Sequence, residues 1–420
     1  MDKHSQPAAP LRVGDVLEVE VERLVPGGAG LAHAHGHTLF VTLAAPGDHL
    51  RVRVERVRGR VVFAAIGEII APGPERTEPP CPYFGRCGGC DFQQLTYEAQ
   101  LAAKVEIIRD CLRRIARLDP PPDIHITPSP AAWHYRARAR WQHDAAHHRL
   151  GYYELASHRV CDVAACPVVV PEVQSALERL RAQMTAGALP QAAEFQAVAG
   201  DDGVSLAPPV AAEDARERTR LIAGEHYGFD ADCFFQINHA LLPALVTAGV
   251  GDARGATAVD LYCGVGLFTL PLARRFARVV GVEANARACA HARRNLAAAQ
   301  LANARIEAAP TGPWLARHAR RLAPADLVLL DPPRAGADNE TLAGILALRP
   351  QRIAYVSCDP ATLARDLRGL TAGGYALASL AAFDMFPQTH HVETVAHLTR
   401  AAVNSITSRN RTQDDVITQE

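Results

Sequence analysis

The sequence predicts an α/β and β protein with an N-terminal OB-like barrel, a central cysteine-bearing domain and a C-terminal doubly wound, Rossmann-like domain. Three observations carry this. Residues 12–70 alternate apolar and polar side chains and are broken by PGGAG and PGD, the pattern of short barrel strands joined by tight turns. Residues 81–90 read CPYFGRCGGC, three cysteines in ten positions. From about residue 226 apolar strands alternate with helical patterns, the order that winds helices over both faces of a parallel sheet. A chain of 420 residues is also too long for one ordinary core, so two or three domains are expected.

Taken in order, the barrel at 12–70 is expected to be antiparallel and to hold nucleic acid, as OB-type barrels often do. APGPERTEPP (71–80) reads as a linker rich in proline and charge. A helical pattern, YEAQLAAKVEIIRDCLRRIARL, starts near residue 97 and breaks at DPPPD. The central domain takes residues 71–98 and 125–225, where the pattern mixes short strands and helices. Residues 226–400 then run TAVDLY strand, CGVG turn, LFTLPLARRF helix, RVVGVE strand, ARACAHARRNLAAA helix, with ADLVLLD and RIAYVSC as further strands. YALASLAAFD and HVETVAHLTR are joined by a short connection and should pair antiparallel. The polar tail 401–420 is expected to be disordered.

Composition narrows the function classes. With 48% hydrophobic and 21% charged residues the chain is a soluble globular enzyme in type, neither fibrous nor disordered. No apolar run reaches the roughly 18 residues of a membrane helix, and MDKHSQPAAP lacks a signal peptide's apolar stretch. A cytoplasmic protein with no membrane partner, acting as a monomer, is expected. In a reducing compartment the ten cysteines rarely pair, so the tight cluster points to metal or catalysis. Net charge is −1, yet basic residues bunch at RVRVERVRGR (51–60), along Lys104, Arg109, Arg113, Arg114 and Arg117, and at RARAR (136–140) beside Trp133, Tyr135 and Trp141. Aromatics interleaved with arginines suit RNA, which takes stacking surfaces together with phosphate partners.

DLYCGVGLFTL puts Gly264 and Gly266 at a strand-to-helix turn, where a ligand approaches the backbone. Thr269 stands where a dinucleotide fingerprint has its third glycine, which tells against NAD or FAD. Glu283 closes the next strand and is placed to accept two ribose hydroxyls. A nucleoside without pyrophosphate, such as S-adenosylmethionine, fits this pair. Asp331, Cys358 and Glu393 fall at one edge of the expected sheet, the first two at carboxyl ends of strands and the third at the start of an antiparallel one. A thiol, a carboxylate and a methyl donor suit methylation of a pyrimidine 5-carbon. That carbon becomes nucleophilic once a thiolate adds at the 6-carbon, and a base must later remove its proton. Cys358 and Glu393 serve those two steps, and Asp331 meets the edge of the base.

These residues resemble the S-adenosylmethionine-dependent RNA uracil-5-methyltransferases over nearly the whole chain. The resemblance rests on GDVLEVEVERL…PGGAGLA, similar to a TRAM RNA-binding barrel, and on CPYFGRCGGCDFQ, FFQIN, DLYCGVGLFTLPLA, GVE, LLDPPRAG, YVSCDP and HVETV. It implies that Gln236, Tyr262 and Glu283, with the Gly264–Gly266 turn and Asp331, bind the donor; that Asp331 contacts uracil; that Cys358 is the nucleophile and Glu393 the base. It implies a [4Fe-4S] cluster on Cys81, Cys87, Cys90 and Cys166, the last followed by proline, with Cys161 as a near rival. The helix at 99–124 then crosses to join the methyltransferase domain. Zinc is the competing metal, but its sites more often carry a second close cysteine pair, absent here. Two positions depart from the family: Pro310 near the adenine, and Leu267 near the methionine end. The favoured substrate is 23S rRNA, with transfer RNA as the alternative. An iron–sulfur redox enzyme and a catalytically idle RNA-binding protein are the readings from other classes.

Overall fold

The computed structural model describes residues 11–401, so the expected disordered tail lies outside the described residues except for Ala401. Six strands form the N-terminal barrel in the order Val16–Glu20, His49–Arg58, Val61–Ala71, His37–Val41, Gly30–Ala34 and Arg23–Leu24. Residues 21 and 22 join the two outermost strands, the Val21 N–H donating to the Asp48 carbonyl on one side and the Glu22 N–H to the Leu31 carbonyl on the other, so one continuous segment closes the ring. Alternation decides what enters it: Leu50, Val52 and Val54 are buried, Arg51 and Arg53 exposed. The sequence leads us to expect an antiparallel barrel, but Thr38–Val41 runs parallel to Val61–Ala64. The connection after Val41 crosses the barrel end instead of making a hairpin, so the next strand, His49–Arg58, pairs elsewhere.

The central sheet has five strands in the order Val160–Asp162, Arg149–Tyr153, Arg138–Asp144, Glu194–Gly200 and Gly203–Ala207, with helix Pro171–Thr185 packed on it. It corrects the reading of RARAR as an aromatic RNA platform. Ala137, Ala139 and Trp141 alternate into the core, and Trp141 is fully buried. Tyr135 is buried too, its hydroxyl donating to the Pro387 carbonyl at 2.9 Å. Arg138 donates to the Ala231 carbonyl at 3.0 Å and to Gln196 Oε1 at 2.6 Å, while the exposed Arg140 pairs with Glu194. The period-two pattern of a strand produced the bunching.

The C-terminal sheet has eight strands in the order Ala304–Ala308, Phe276–Glu283, Gly255–Leu261, Leu327–Leu330, Arg352–Ser357, Glu393–Arg400, Tyr375–Phe383 and Ile126–Thr127. The first five pair in parallel. Glu393–Arg400 is antiparallel to both neighbours. Ile126–Thr127, read from the sequence as part of the central domain, extends the far edge of this sheet by pairing with Ala382 and Phe383. Helix Tyr97–Cys111, capped by the Thr96 side chain, continues as a wider turn through Ala116 and stops where Arg117 turns left-handed. Its Ile107, Ile108 and Leu112 join the core on one face of the C-terminal sheet with Tyr355, Leu363 and Leu367.

That helix carries a second correction. Lys104, read as part of a basic face, is fully buried and paired with the equally buried Asp384. Arg109 pairs with Glu106 and Arg114 with Asp110, so this face is largely neutralised within itself. Among the described residues no helix is long and apolar enough to cross a membrane.

Candidate active site

Strand register builds the site. Leu261 pairs with Leu330, so those two parallel strands end level, and Leu330 pairs with Tyr355, past which the third strand runs on to Ser357. The Asp331 N–H, one residue on, donates to the Leu261 carbonyl at 3.3 Å. Ser357 pairs with Thr394 across the antiparallel step, and the Thr394 hydroxyl donates to the Ser357 carbonyl at 3.0 Å. One step past that pair, Cys358 stands opposite Glu393. The Gln236 amide reaches the same edge from the FFQIN segment and donates to Asp331 Oδ2 at 3.1 Å.

Charge within this group is dominated by desolvation. Burial pushes the Cys358 thiol up to about 12, with Glu393 and Asp331 adding to the shift and Arg334 opposing it. Burial and Asp331 hold the Glu393 carboxyl well above the usual range; it is 1% exposed and its Oε1 has no hydrogen-bond partner. Burial likewise moves Asp331 up to about 7, against the Gln236 hydrogen bond. Burial thus favours the protonated forms of Cys358 and Glu393, and Arg334 opposes it at both. Arg334 and His391, both missed in the sequence, are detectable only as neighbours in DPPRAG and HHVET. His391 is kept neutral, its pKa lowered to about 2 by burial and by His390, Arg334, Lys104 and Arg136. Phe234, two residues before Gln236, leaves 62% of its surface exposed, which suits a ring that stacks on a base.

The protonated Glu393 sets a pH dependence. An unfolded glutamate ionises above about pH 4.3. The folded one stays protonated, so stability is full below that pH and is lost as pH rises toward the folded pKa. The slope from this group is about 1.4 kcal/mol per pH unit. Glu393→Gln should remove that slope: in denaturant titrations at pH 5 and 6 the wild type should lose stability relative to the variant.

Beside this group lies the strand-to-helix turn of Gly264 and Gly266. Tyr262, Gly264 and Gly266 all have positive φ, of 61°, 54° and 96°. Both carboxylate oxygens of Glu283 accept main-chain hydrogen bonds, from Gly264 at 3.0 Å and Asn285 at 2.7 Å. They fix the carboxylate and leave lone pairs for further donors. The Tyr262 hydroxyl lies 3.3 Å from Thr341 Oγ1. Thr269, where a third glycine would stand, donates its hydroxyl at 2.5 Å to the fully buried Asp260. Burial moves Asp260 up to about 7, opposed by that hydrogen bond and aided by Asp331 and Glu283. Pro310 caps helix Thr311–Leu322 and Leu267 is buried in the core.

The loop from Asp384 to Val392, which delivers Glu393, is tied down from the cysteine-bearing segment. Lys104 pairs with Asp384 and donates to the Phe386 carbonyl at 3.0 Å, and the Tyr97 hydroxyl donates to Asp384 at 2.7 Å. Gln100 and Gln388 exchange two hydrogen bonds, of 3.0 and 2.9 Å. The Asp91 and Phe92 N–H groups donate to the Gln388 carbonyl, and Asp91 accepts from the His390 main chain at 2.8 Å and pairs with its ring.

Cys81, Cys87, Cys90 and Cys166 line one cavity of about 70 Å³, together with Gln93, Arg136 and Tyr152. A single tetrahedral zinc with bonds of about 2.3 Å holds its sulfurs about 3.8 Å apart. Among the described residues, the only group of three ligand atoms gathered within 4.8 Å is Asp230, Cys233 and His291. No three of the four cysteine sulfurs therefore lie within 4.8 Å of one another. Cys161 does not line the cavity; it is fully buried and accepts a hydrogen bond from Arg86 Nε at 3.3 Å. At the Asp230 group the carboxylate already takes Arg287 at 2.7 Å and His291 at 2.9 Å.

Comparison with known proteins bears on this geometry. The tRNA (uracil-5-)-methyltransferase family model matches residues 214–401, and the TRAM domain model matches residues 10–66. The 23S rRNA (uracil(1939)-C(5))-methyltransferase RlmD of Pseudomonas putida is 36% identical, over 91% of this chain and 94% of that protein. An uncharacterized RNA methyltransferase of Thermosynechococcus vestitus is 33% identical, over 92% and 98%. Among solved structures, a tRNA (uracil-54, C5)-methyltransferase of Pyrococcus abyssi, in complex with S-adenosyl-L-homocysteine, superposes with a TM-score of 0.70 at 25% identity, covering 91% of this chain and all of that one. Match to the family model, relatives aligned end to end and a shared fold agree: the chain belongs to the RNA uracil-5-methyltransferase family, with a TRAM domain at its N-terminus.

Proposed function

We propose that this enzyme methylates the 5-carbon of a uridine in 23S rRNA, using S-adenosylmethionine and a covalent cysteine–uracil intermediate. The observation that carries the reading is the strand register that sets Cys358 opposite Glu393, with Asp331 close enough for its charge to act on both. The rRNA target is supported by the RlmD relatives and by the TRAM barrel. Transfer RNA is the second reading, favoured by the Pyrococcus abyssi neighbour.

Gln236, Tyr262, Glu283 and the Gly264–Gly266 turn would hold the donor, Glu283 accepting from its ribose hydroxyls. Bound there, it supplies an electrophilic methyl. Asp331 hydrogen-bonds the edge of the uracil. Cys358 loses its proton to solvent and its sulfur bonds to the 6-carbon, driving the 5,6 double-bond electrons toward the 5-carbon and the 4-oxygen. The 5-carbon then takes the methyl, and S-adenosylhomocysteine is the leaving group. Glu393, its own proton lost to solvent, removes the proton left on the 5-carbon, the double bond re-forms and the carbon–sulfur bond breaks, returning the Cys358 thiolate. Its raised pKa makes it a stronger base than an exposed glutamate.

Glu283→Ala should weaken S-adenosylmethionine binding by about 1–3 kcal/mol, read by calorimetry, since two ribose hydroxyls lose their acceptor. The function is tested by incubating wild-type enzyme with 23S rRNA and tRNA transcripts and mapping 5-methyluridine; product in tRNA alone would overturn the rRNA reading.

The cysteine cavity is assigned to a [4Fe-4S] cluster ligated by Cys81, Cys87, Cys90 and Cys166. It would hold the 81–90 turn to the loop before helix Pro171–Thr185. Cys166→Ser should lower bound iron and sulfide and bleach the visible absorbance, while Cys161→Ser should not. Stoichiometric zinc without sulfide would refute the assignment.

A further inference from the structure

A cleft of about 360 Å³ lies between the central sheet and the C-terminal body, within the range of small-ligand pockets and at a domain junction where such pockets concentrate. None of Gln236, Asp331, Cys358 and Glu393 lines it, but Asn238 and His239, two and three residues after the FFQIN glutamine, do. Two of its polar atoms, Asn238 Oδ1 and His239 Nε2, are buried without a hydrogen-bond partner in the protein. Asn238 is fully buried, and its amide nitrogen is committed to Ser129 Oγ at 2.9 Å, which leaves the carbonyl oxygen as the spare group. His239 is 8% exposed and sits edge-on to Phe229 and Phe235. Burial and the Arg220 charge lower its pKa to about 4, so the ring is neutral, and the Gln236 main chain engages it. Its free nitrogen is therefore an acceptor. The Glu172 carboxylate adds a third acceptor, and Tyr135, Val170 and Pro171 supply apolar walls. Arg220, also in the lining, is paired with Asp201 at 2.7 Å.

Unpaired acceptors on an apolar floor select a flat ligand rich in N–H donors. We propose that this cleft takes a second, unstacked base of the RNA substrate, one bearing an exocyclic amine. Uracil fits poorly, since it turns two carbonyl oxygens and one N–H toward the acceptors. Single-stranded RNA is commonly read through splayed bases bonded on their edges, and a site built to bond a donor rejects the analogue lacking it. The inference rests on the RNA-methylation reading, and it places a specificity contact two residues from the donor-binding Gln236.

The test titrates the wild-type enzyme with AMP, GMP, CMP and UMP by calorimetry, with S-adenosylhomocysteine saturating the donor site so that adenosine cannot enter it. At least one amine-bearing nucleotide should bind about tenfold or more tighter than UMP. His239→Phe, which keeps the ring contacts and removes the acceptor, should erase that preference while affinity for S-adenosylhomocysteine is unchanged. A substrate RNA transcript should displace the bound nucleotide. Equal binding of UMP, or an unchanged preference in His239→Phe, would overturn the site. Failure of RNA to compete would make it a free-nucleotide site and overturn the RNA assignment. If the variant does not fold, the wild-type order of nucleotides decides. Formation of 5-methyluridine on the same transcript is scored in parallel, so failure of the cleft is separable from failure of the methylation reading.

Discussion

Cys358→Ala should bind RNA and donor yet form neither adduct nor 5-methyluridine, a loss of at least about 10⁴-fold, because nothing else at that strand end can add to the 6-carbon. Glu393→Gln should divide the reaction differently. Its Cys358 is intact and no longer faces a neighbouring carboxyl, one of the groups that raise the thiol's pKa. Attack and methyl transfer should therefore proceed, and the adduct should persist because the proton on the 5-carbon has no acceptor. On a denaturing gel with labelled RNA, the glutamate variant should give a shifted band carrying methyl label and the cysteine variant none. Shifted bands in both variants would mean that another nucleophile operates.

Lys104→Met should cost about 3–5 kcal/mol, since it strands Asp384 as a fully buried charge with only the Tyr97 hydroxyl left to it. Burial already pulls the Lys104 pKa down while Asp384 holds it up, so the pair survives only together. The consequence reaches the chemistry because Asp384 begins the loop that ends at Glu393. Hydrogen exchange should rise across residues 384–392, and adduct resolution should slow more than adduct formation. The double variant Lys104→Met with Asp384→Asn should recover much of the stability, having no lone charge to bury. Unchanged exchange in the loop of the single variant would show that Lys104 does not position the base.

Much of this architecture was legible in the chain because it is written in local periodicity. Alternation over 12–70 marked the barrel, whose strands run from Val16 to Ala71, and the run from TAVDLY to YVSC marked successive strands whose ends carry Asp331 and Cys358. The same periodicity misled where its two faces were not distinguished. RARAR and its flanking aromatics looked like an RNA surface, yet the strand turns Trp141 inward and spends Arg138 on main-chain carbonyls. Lys104 looked like one more cation on a basic helix until the partner 280 positions away was known.

The sequence by itself determined the kinds of element, their order and the residues at the strand ends, because those depend on neighbours one to four positions apart and on the backbone sterics of glycine and proline. Only the tertiary structure decided that Glu393 faces Cys358 across an antiparallel step, that Cys166 shares a cavity with Cys81, Cys87 and Cys90 while Cys161 meets Arg86, and that the glutamate loop hangs on Asp91, Gln100 and Lys104. Those choices pair residues tens to hundreds of positions apart. They are settled by which buried polar groups find partners when the three parts of the chain pack together, a sum over the whole fold that no local window contains.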